Sequence, residues 1–293
     1  MPHILTLVAA TTLSEQHFSK VAKQLNIEKT NISWLEDDKA AHITITRAIN
    51  VKSIQQLRAL LHDDKIDIFC TLADNRRKNL LIADMDSTIV TNETLDELAD
   101  EAGIKEQVAE ITERAMRGEI DFFDAIRERV GLLKGLSTDA LKRTLDSTEI
   151  SKGAETLVKT MSNNNCFCAL VSGGFTYFTE NISSQLGFHA HHGNILSIEN
   201  QTLTGQVIDP ILDKNTKLEL LQHYVGEQKI RLDDTIAIGD GANDLMMLEA
   251  AGLGIGYHPK PLLEEKLINC IIHTDLTSVL YAQGYKKQEF SEN

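Results

Sequence analysis

The stretch Asn79-Leu80-Leu81-Ile82-Ala83-Asp84-Met85-Asp86-Ser87-Thr88 decides how the rest of the chain is read. Leu80 to Ala83 has the length and apolar character of a strand buried on both faces. It stops abruptly at two aspartates. Asp84 and Asp86 stand two positions apart, so near a strand end they project to roughly the same side. In α/β proteins the crevice beyond the carboxyl ends of the strands is where ligands bind. Two like charges placed there repel, and a cation between them, or a proton kept by one of them, relieves the repulsion.

Upstream, residues 1 to about 72 carry a separate pattern. Ile4 to Val8 reads as a strand, and Phe18, Val21, Ala22 and Leu25 recur at helical spacing. A weaker strand around Ile32 to Leu35 precedes Ala41, Ile43 and Ile45, which alternate with polar residues as in a half-buried strand. Val51, Ile54, Leu57 and Leu61 make a second helical stripe, and Ile66, Ile68 and Cys70 a last strand. The order βαββαβ predicts a ferredoxin-like α+β unit over residues 1–76. The polar run Asp74-Asn75-Arg76-Arg77-Lys78 reads as the linker to a second domain, 77–293.

Downstream the pattern is first helical. Leu95, Leu98, Ala99 and Ala102 form one stripe, stopped by Gly103; Val108, Ile111 and Ala115 form another, stopped by Gly118. Asp121 is placed to cap a third helix through Phe122, Ile126 and Val130, and a fourth follows Ser137. This all-helical insertion, about 93–148, hangs from the loop after the first strand and is expected to cover that strand's end as a lid. The α/β pattern then resumes. Cys166 to Val171 is a strand ending at Ser172-Gly173-Gly174, residues 194–208 suggest a small hairpin, and Lys214 to Tyr224 is a helix. Thr235 to Ile238 is a strand ending at Gly239-Asp240-Gly241-Ala242-Asn243-Asp244. The architecture expected for the second domain is a Rossmann-like parallel sheet with an inserted helical cap.

The 293 residues are 42% hydrophobic and 25% charged, an ordinary globular composition, and the net charge of −14 disfavours a nucleic-acid or anionic-membrane surface. No run approaches transmembrane length and the N-terminus lacks a signal-peptide pattern, so the expected location is the cytoplasm. Cys70, Cys166, Cys168 and Cys270 have neither a disulfide nor a zinc spacing.

Three strands thus end in chemically useful residues: Asp84 and Asp86, Ser172, and Asp240. Phosphoryl transfer asks mainly for positioning and charge stabilisation. An ionised Asp84 can attack phosphorus, Asp86 can protonate a leaving alkoxide, and Mg2+, which prefers hard oxygen ligands, would bridge Asp84 and Asp240. Ser172 and the amides of Gly173 and Gly174 can cradle phosphate. Each piece also has a plain structural reading. Asp-x-Asp can be a turn, Asp240-Gly241 a hairpin turn, Asn243 or Asp244 a helix cap, and Ser172-Gly173-Gly174 a tight turn. Lys217 and Arg129 can be surface residues, Phe122 a core residue, and His189, His191 and His192 a crowded loop rather than a metal site.

Together the elements are more specific. Asp-Met-Asp-Ser-Thr, then Val-Ser-Gly-Gly, then Lys217, then Gly-Asp-Gly-Ala-Asn-Asp resembles the haloacid dehalogenase superfamily over residues 77–285. The nearer branch is the phosphoserine phosphatases. That likeness rests on Asp84 to Thr88, Asp96-Glu97-Leu98-Ala99, Arg114-Ala115-Met116 with Gly118, and Arg127-Glu128-Arg129-Val130 with Leu132-Leu133-Lys134. The resemblance implies Asp84 as nucleophile and Asp86 as proton donor, with Mg2+ held by Asp84, Asp240 and the backbone carbonyl of Asp86. It implies Ser172, Gly173 and Lys217 on phosphate, Asn243 ordering the site, and Glu93, Arg129 and Phe122 around the amino-acid part of O-phospho-L-serine. The βαββαβ unit, which shorter members of the branch lack, separately resembles a degenerate ACT-type regulatory domain, a candidate for homodimer formation or serine sensing. A buried zwitterion needs one anion and one cation, and Glu93 and Arg129 supply them. The rival readings are transfer of the phosphoryl group to homoserine, hydrolysis of another small phosphate ester, and a receiver-like signalling module.

Overall fold

The computed structural model describes residues 2–28, 31–46 and 48–291. The first sheet is built from β1 (His3–Ala9), β2 (Ser33–Glu36), β3 (Ala40–Ile45) and β4 (Ile66–Leu72), with α1 (Glu15–Leu25) and α2 (Val51–Leu61) on one face. Its antiparallel order β2-β3-β1-β4 is the ferredoxin-like arrangement that the βαββαβ pattern predicts. The helical stripes pack where their spacing puts them: Phe18, Val21, Ile54 and Leu57 lie buried against Leu5, Leu7 and Ile43.

The second sheet starts with β5 (Leu80–Ala83). The helical insertion follows as α3 (Thr94–Glu101), α4 (Lys105–Met116), α5 (Phe122–Gly131) and α6 (Thr138–Ser147). Then come α7 (Ala154–Asn163), β6 (Phe167–Phe175), α8 (Thr176–Leu186), β7 (Ala190–Glu199) and β8 (Thr202–Ile208). The chain closes with α9 (Lys214–Gln228), β9 (Thr235–Gly239), α10 (Leu245–Ala250), β10 (Leu253–Tyr257), α11 (Pro261–Lys266), β11 (Asn269–Ile271) and α12 (Ser278–Ala282). The sheet order is β11-β10-β9-β5-β6-β7-β8, parallel throughout except for the β7–β8 hairpin at one edge. The chain builds outward from β5 through β6 and β7, then returns to lay β9, β10 and β11 on the other side. The carboxyl end of β5 is therefore the point where the winding reverses, the place where such sheets bind ligands. All four residues of β5 are fully buried, as an apolar run between two parallel neighbours requires.

The two sheets share a core. Val8, Leu35, Ala40 and Phe69, on the face of the first sheet away from α1 and α2, join the cluster that holds Leu81, Ala83, Tyr281 and Tyr285. Polar ties run along the same seam. The Asp67 carboxylate accepts from the amides of Ile272, His273 and Thr274 and from the Thr274 hydroxyl. Arg76 donates to the carbonyls of Ala282 and Tyr281 and to Thr6 Oγ1. Tyr281 donates its hydroxyl to Glu36. The run 74–78 is thus not a solvated tether: Arg77 pairs with Glu289 at 2.7 Å and lies over the Tyr285 ring, and Lys78 Nζ donates to the carbonyls of Asn75 and Asp233.

One local reading needs correction. His191 and His192 lie in β7, and His189 just before it, rather than in a loop. Each ring meets a neighbour: His189 Nδ1 accepts from the Cys168 amide, His191 meets Thr179 Oγ1, and His192 meets the Tyr224 hydroxyl. Among the described residues, no helix is long and apolar enough to cross a membrane.

Candidate active site

After Ala83 the strand cannot continue, because the chain must turn. Asp84 and Asp86 keep extended backbone angles, while Ser87 takes φ 54°, the left-handed region; the Val90 amide closes the turn on the Met85 carbonyl at 2.9 Å. The result sends the two carboxylates to different partners above one crevice.

Asp84 is 4% exposed, and its Oδ1 lies 2.7 Å from Lys217 Nζ. Lys217, near the start of α9, is 2% exposed and touches Asp244 Oδ1 at 2.5 Å as well. Burial opposes the lysine's charge, yet Asp244 and Asp84 more than offset it and hold the ammonium form. Burial, with Asp244 adding to it, pushes the Asp84 carboxyl well above the usual carboxylate range, against the pull of Lys217. Asp244 Oδ2 also accepts the Gly241 amide at 3.1 Å, so both its oxygens are engaged. Gly239 must lack a side chain here, since a Cβ would come within 2.4 Å of the Asp244 carboxyl carbon.

Asp86 turns toward β6 and the cap. Its Oδ1 accepts the Thr94 amide at 2.8 Å, at the start of α3, and its Oδ2 accepts from Ser172 Oγ at 2.8 Å. The Gly174 amide donates to Ser172 Oγ at 2.8 Å, so that amide, expected to face phosphate, is already used. The Gly173 position instead has open space around it, with no heavy atom within 4 Å of where a Cβ would stand. Asn194 Nδ2, deep in β7, holds the Gly173 carbonyl at 2.7 Å.

The cap brings Glu93, Phe122 and Arg129 to the same cleft, of about 190 Å³, which Asp84, Asp86, Ser172, Gly173, Asp240 and Asn243 also line. Glu93 Oε1 accepts from Ser87 Oγ at 2.9 Å; burial, then Asp86, raises its carboxyl. Arg129 donates Nε to the Ala125 carbonyl at 3.2 Å and forms no ion pair among the described residues. Burial lowers its pKa, with Asp96 and Glu93 opposing. Phe122 is 40% exposed at the cleft, not part of the core. The side chain of Met116 lies outside the described ones.

Every residue expected at the site therefore borders the cleft except Lys217, which stands behind it on Asp84. Two further residues belong to it. Lys260, in the loop after β10, reaches Asp240 Oδ2 at 3.0 Å and Glu93 Oε1 at 3.9 Å. Asp244, for which a helix cap was one of the readings open, occupies the N-cap position of α10 but makes no side-chain capping bond. The signal for Lys260 was present: like Asp84 and Asp240, it lies beyond the carboxyl end of an apolar strand.

Asp84, Asp240 and Asp244 bring carboxylate oxygens within 4.8 Å of one another. Because Asp244 is spent on Lys217 and Gly241, the oxygens with no hydrogen-bond or ion-pair partner among the described residues are Asp84 Oδ2 and Asp240 Oδ1. The Asp86 carboxylate faces away from this cluster, so only its backbone could serve an ion there. Five carboxylates (84, 86, 93, 240, 244) meet three cations (129, 217, 260), which leaves two negative charges; a hard divalent cation fits that donor set.

The haloacid dehalogenase-like hydrolase pattern matches residues 81–249. The chain is 44% identical over 191 residues to a phosphoserine phosphatase of Archaeoglobus fulgidus, a match covering 65% of this chain and 56% of that protein. It is 40% identical over 205 residues to one of Methanocaldococcus jannaschii, covering 70% of this chain and 97% of that protein. The chain thus spans about half the length of the first and nearly all of the second. A crystal structure of a HAD family hydrolase from Salmonella enterica serovar Typhi superposes with a TM-score of 0.87 at 28% identity, covering 97% of this chain and 98% of that one, the first sheet included. The chain belongs to the haloacid dehalogenase-like hydrolases, and these two curated relatives carry the name phosphoserine phosphatase.

Proposed function

We propose that the protein hydrolyses O-phospho-L-serine to L-serine and phosphate through an Asp84 phosphoenzyme. The observation that carries this is the pairing of two differently held aspartates at the winding reversal: Asp84 on buried Lys217, Asp86 on Ser172 and the Thr94 amide. An Asp84 oxygen attacks phosphorus and the bond to the serine oxygen breaks. Asp86 delivers its proton to that leaving oxygen. Water then attacks the aspartyl phosphate, Asp86 takes the proton back, and Asp84 is released with phosphate. Mg2+, when bound, neutralises the phosphoryl oxygens beside Asp84 and Asp240. Lys217 fixes Asp84, and Ser172 with the open Gly173 position receives the phosphoryl group.

Arg129 and Glu93 select the substrate. A guanidinium with no ion pair fits a carboxylate, and Glu93 fits an ammonium, which a sugar phosphate would not offer. Binding through residues 1–76 to a second copy belongs to the same proposal; a sedimentation experiment showing only monomer removes it. The main test is release of free phosphate from O-phospho-L-serine, with Mg2+ and with chelator, and with homoserine as a competing acceptor. Phosphate release that needs Mg2+ and equals serine formed is expected. No release from phosphoserine would falsify the assignment, and phosphohomoserine in place of free phosphate would convert it to a transferase.

A further inference from the structure

α11 has six residues, too few to hold itself together in water, and its end groups need partners. Pro261 sets its first turn, and Lys260 stands at its N-cap position. From there the Lys260 amide donates to the Asp240 carbonyl at 2.8 Å, while its ammonium reaches the Asp240 carboxylate and approaches Glu93. One residue thus touches both the carboxylate expected to face the metal and the one expected to face the substrate's ammonium.

The other end of α11 is held by the N-terminal unit. Arg58, on α2 and 8% exposed, donates to the carbonyls of Glu264, Leu267 and Ile268 at 3.1, 3.0 and 2.6 Å. Gln55, one turn earlier on α2, donates to the Glu265 carbonyl at 3.0 Å. Asn269, just beyond, accepts the Cys70 amide of β4 at 2.8 Å. The carbonyls that the helix leaves open are taken up by a unit more than two hundred residues away in the chain.

We infer that Arg58 is a positioning residue for the active site: by gripping the carbonyl end of α11 it fixes Lys260, and Lys260 in turn sets the Asp240 and Glu93 carboxylates. This rests on the function proposed above. A lysine beside a metal-facing carboxylate also repels a metal ion, the opposing effect. The Lys260 side chain is 60% exposed, so water screens that repulsion, whereas the orienting contact at 3.0 Å is direct. Positioning outweighs repulsion, and loss of Lys260 weakens metal binding.

The test is calorimetric titration of Mg2+ into the full chain and four variants, beside the KM and kcat for phosphoserine. Lys260→Met is expected to weaken Mg2+ binding about tenfold, as loss of a partner behind a ligand commonly does. Lys260→Arg should restore the affinity to within about twofold of the wild type, since it keeps a cation within reach. Arg58→Lys, which can meet one carbonyl in place of three, should weaken it about threefold and raise KM more than it lowers kcat. In the double variant Arg58→Lys/Lys260→Met the loss should equal that of Lys260→Met alone, because the two act in series. Where Arg58→Lys does not fold, Gln55→Ala, which removes one bond at the same helix end, should shift the affinity in the same direction by about twofold. Unchanged affinity in the α2 variant, tighter binding in Lys260→Met, or losses that multiply in the double variant would each overturn the relay. A wild-type chain that binds Mg2+ but leaves phosphoserine intact would sink the substrate assignment and leave the relay standing.

Discussion

Lys217 shows how much of the site depends on single contacts. Fully enclosed, it is balanced by Asp84 on one side and Asp244 on the other. Asp84→Asn removes the attacking oxygen's charge, and turnover is expected to fall by at least about a thousandfold with the fold intact, read as kcat beside a circular-dichroism melt. Asp244→Asn leaves Lys217 with one carboxylate and frees it to swing, so kcat should drop about a hundredfold. Arg129→Lys keeps the charge but loses the fork; a rise in KM for phosphoserine of about tenfold or more, with less change in kcat, is the expected outcome. Asp84, Asp86, Ser172 and Asp240 were legible because each follows an apolar run, although β6 does not end before Ser172 as expected but continues through it to Phe175. Asp244 was quoted in its motif with capping left open as its alternative, since a carboxylate at a helix start gives the same sequence signal whether it caps the helix or grips a distant lysine. The used-up Gly174 amide was not legible, for its partner is chosen by the Ser172 rotamer.

The cap helices present their chemistry through α5. Asp121 caps it, its Oδ1 accepting the Asp124 amide at 2.8 Å, and Phe122 and Arg129 are both carried on it. Asp121→Ala is expected to cost about 1 kcal/mol of stability and to raise KM for phosphoserine, since fraying the first turn loosens the cleft wall. An unchanged KM with lowered melting temperature would limit the cap residue to stability alone. At this scale the sequence was a good guide. Helical stripes, stop glycines and strand alternation placed α3 to α6 and the first six elements, because amphipathic spacing reports the buried face directly. It failed at β7, where His191 and His192 broke the apolar run and were read as loop. In the fold each imidazole is satisfied by a hydroxyl, so polar residues sit in a strand without cost.

At the level of the whole molecule the seam is what spacing could not foretell. Many of its bonds run from side chains to main-chain groups, which every residue has and which leave no compositional trace. His42 lies on it, 3.2 Å from an Arg76 nitrogen, and burial, with the arginine's charge adding, lowers its pKa to about 4. The unfolded imidazole takes its proton near pH 6.5, so between about 6.5 and 4 the unfolded chain binds more protons. Stability from this group is complete above 6.5 and is lost as the pH falls toward 4. Allowing for solvent at the ring, about 1 kcal/mol is at stake. Melting curves of wild type and His42→Gln at pH 7.5 and 5 should therefore diverge less at the lower pH, while equal slopes would remove the histidine from the account.

Because the outer face of the first sheet is closed by Tyr281, Tyr285 and the loop at 272–274, residues 1–76 are completed by residues some two hundred positions further along the chain. A chain halted near residue 250 would leave the apolar flank of that sheet bare, take from the Asp67 carboxylate its donors at 272–274 and leave Arg76 only Thr6 and His42. Synthesis of residues 272–285, rather than of the first sheet itself, is then what lets that sheet fold to completion.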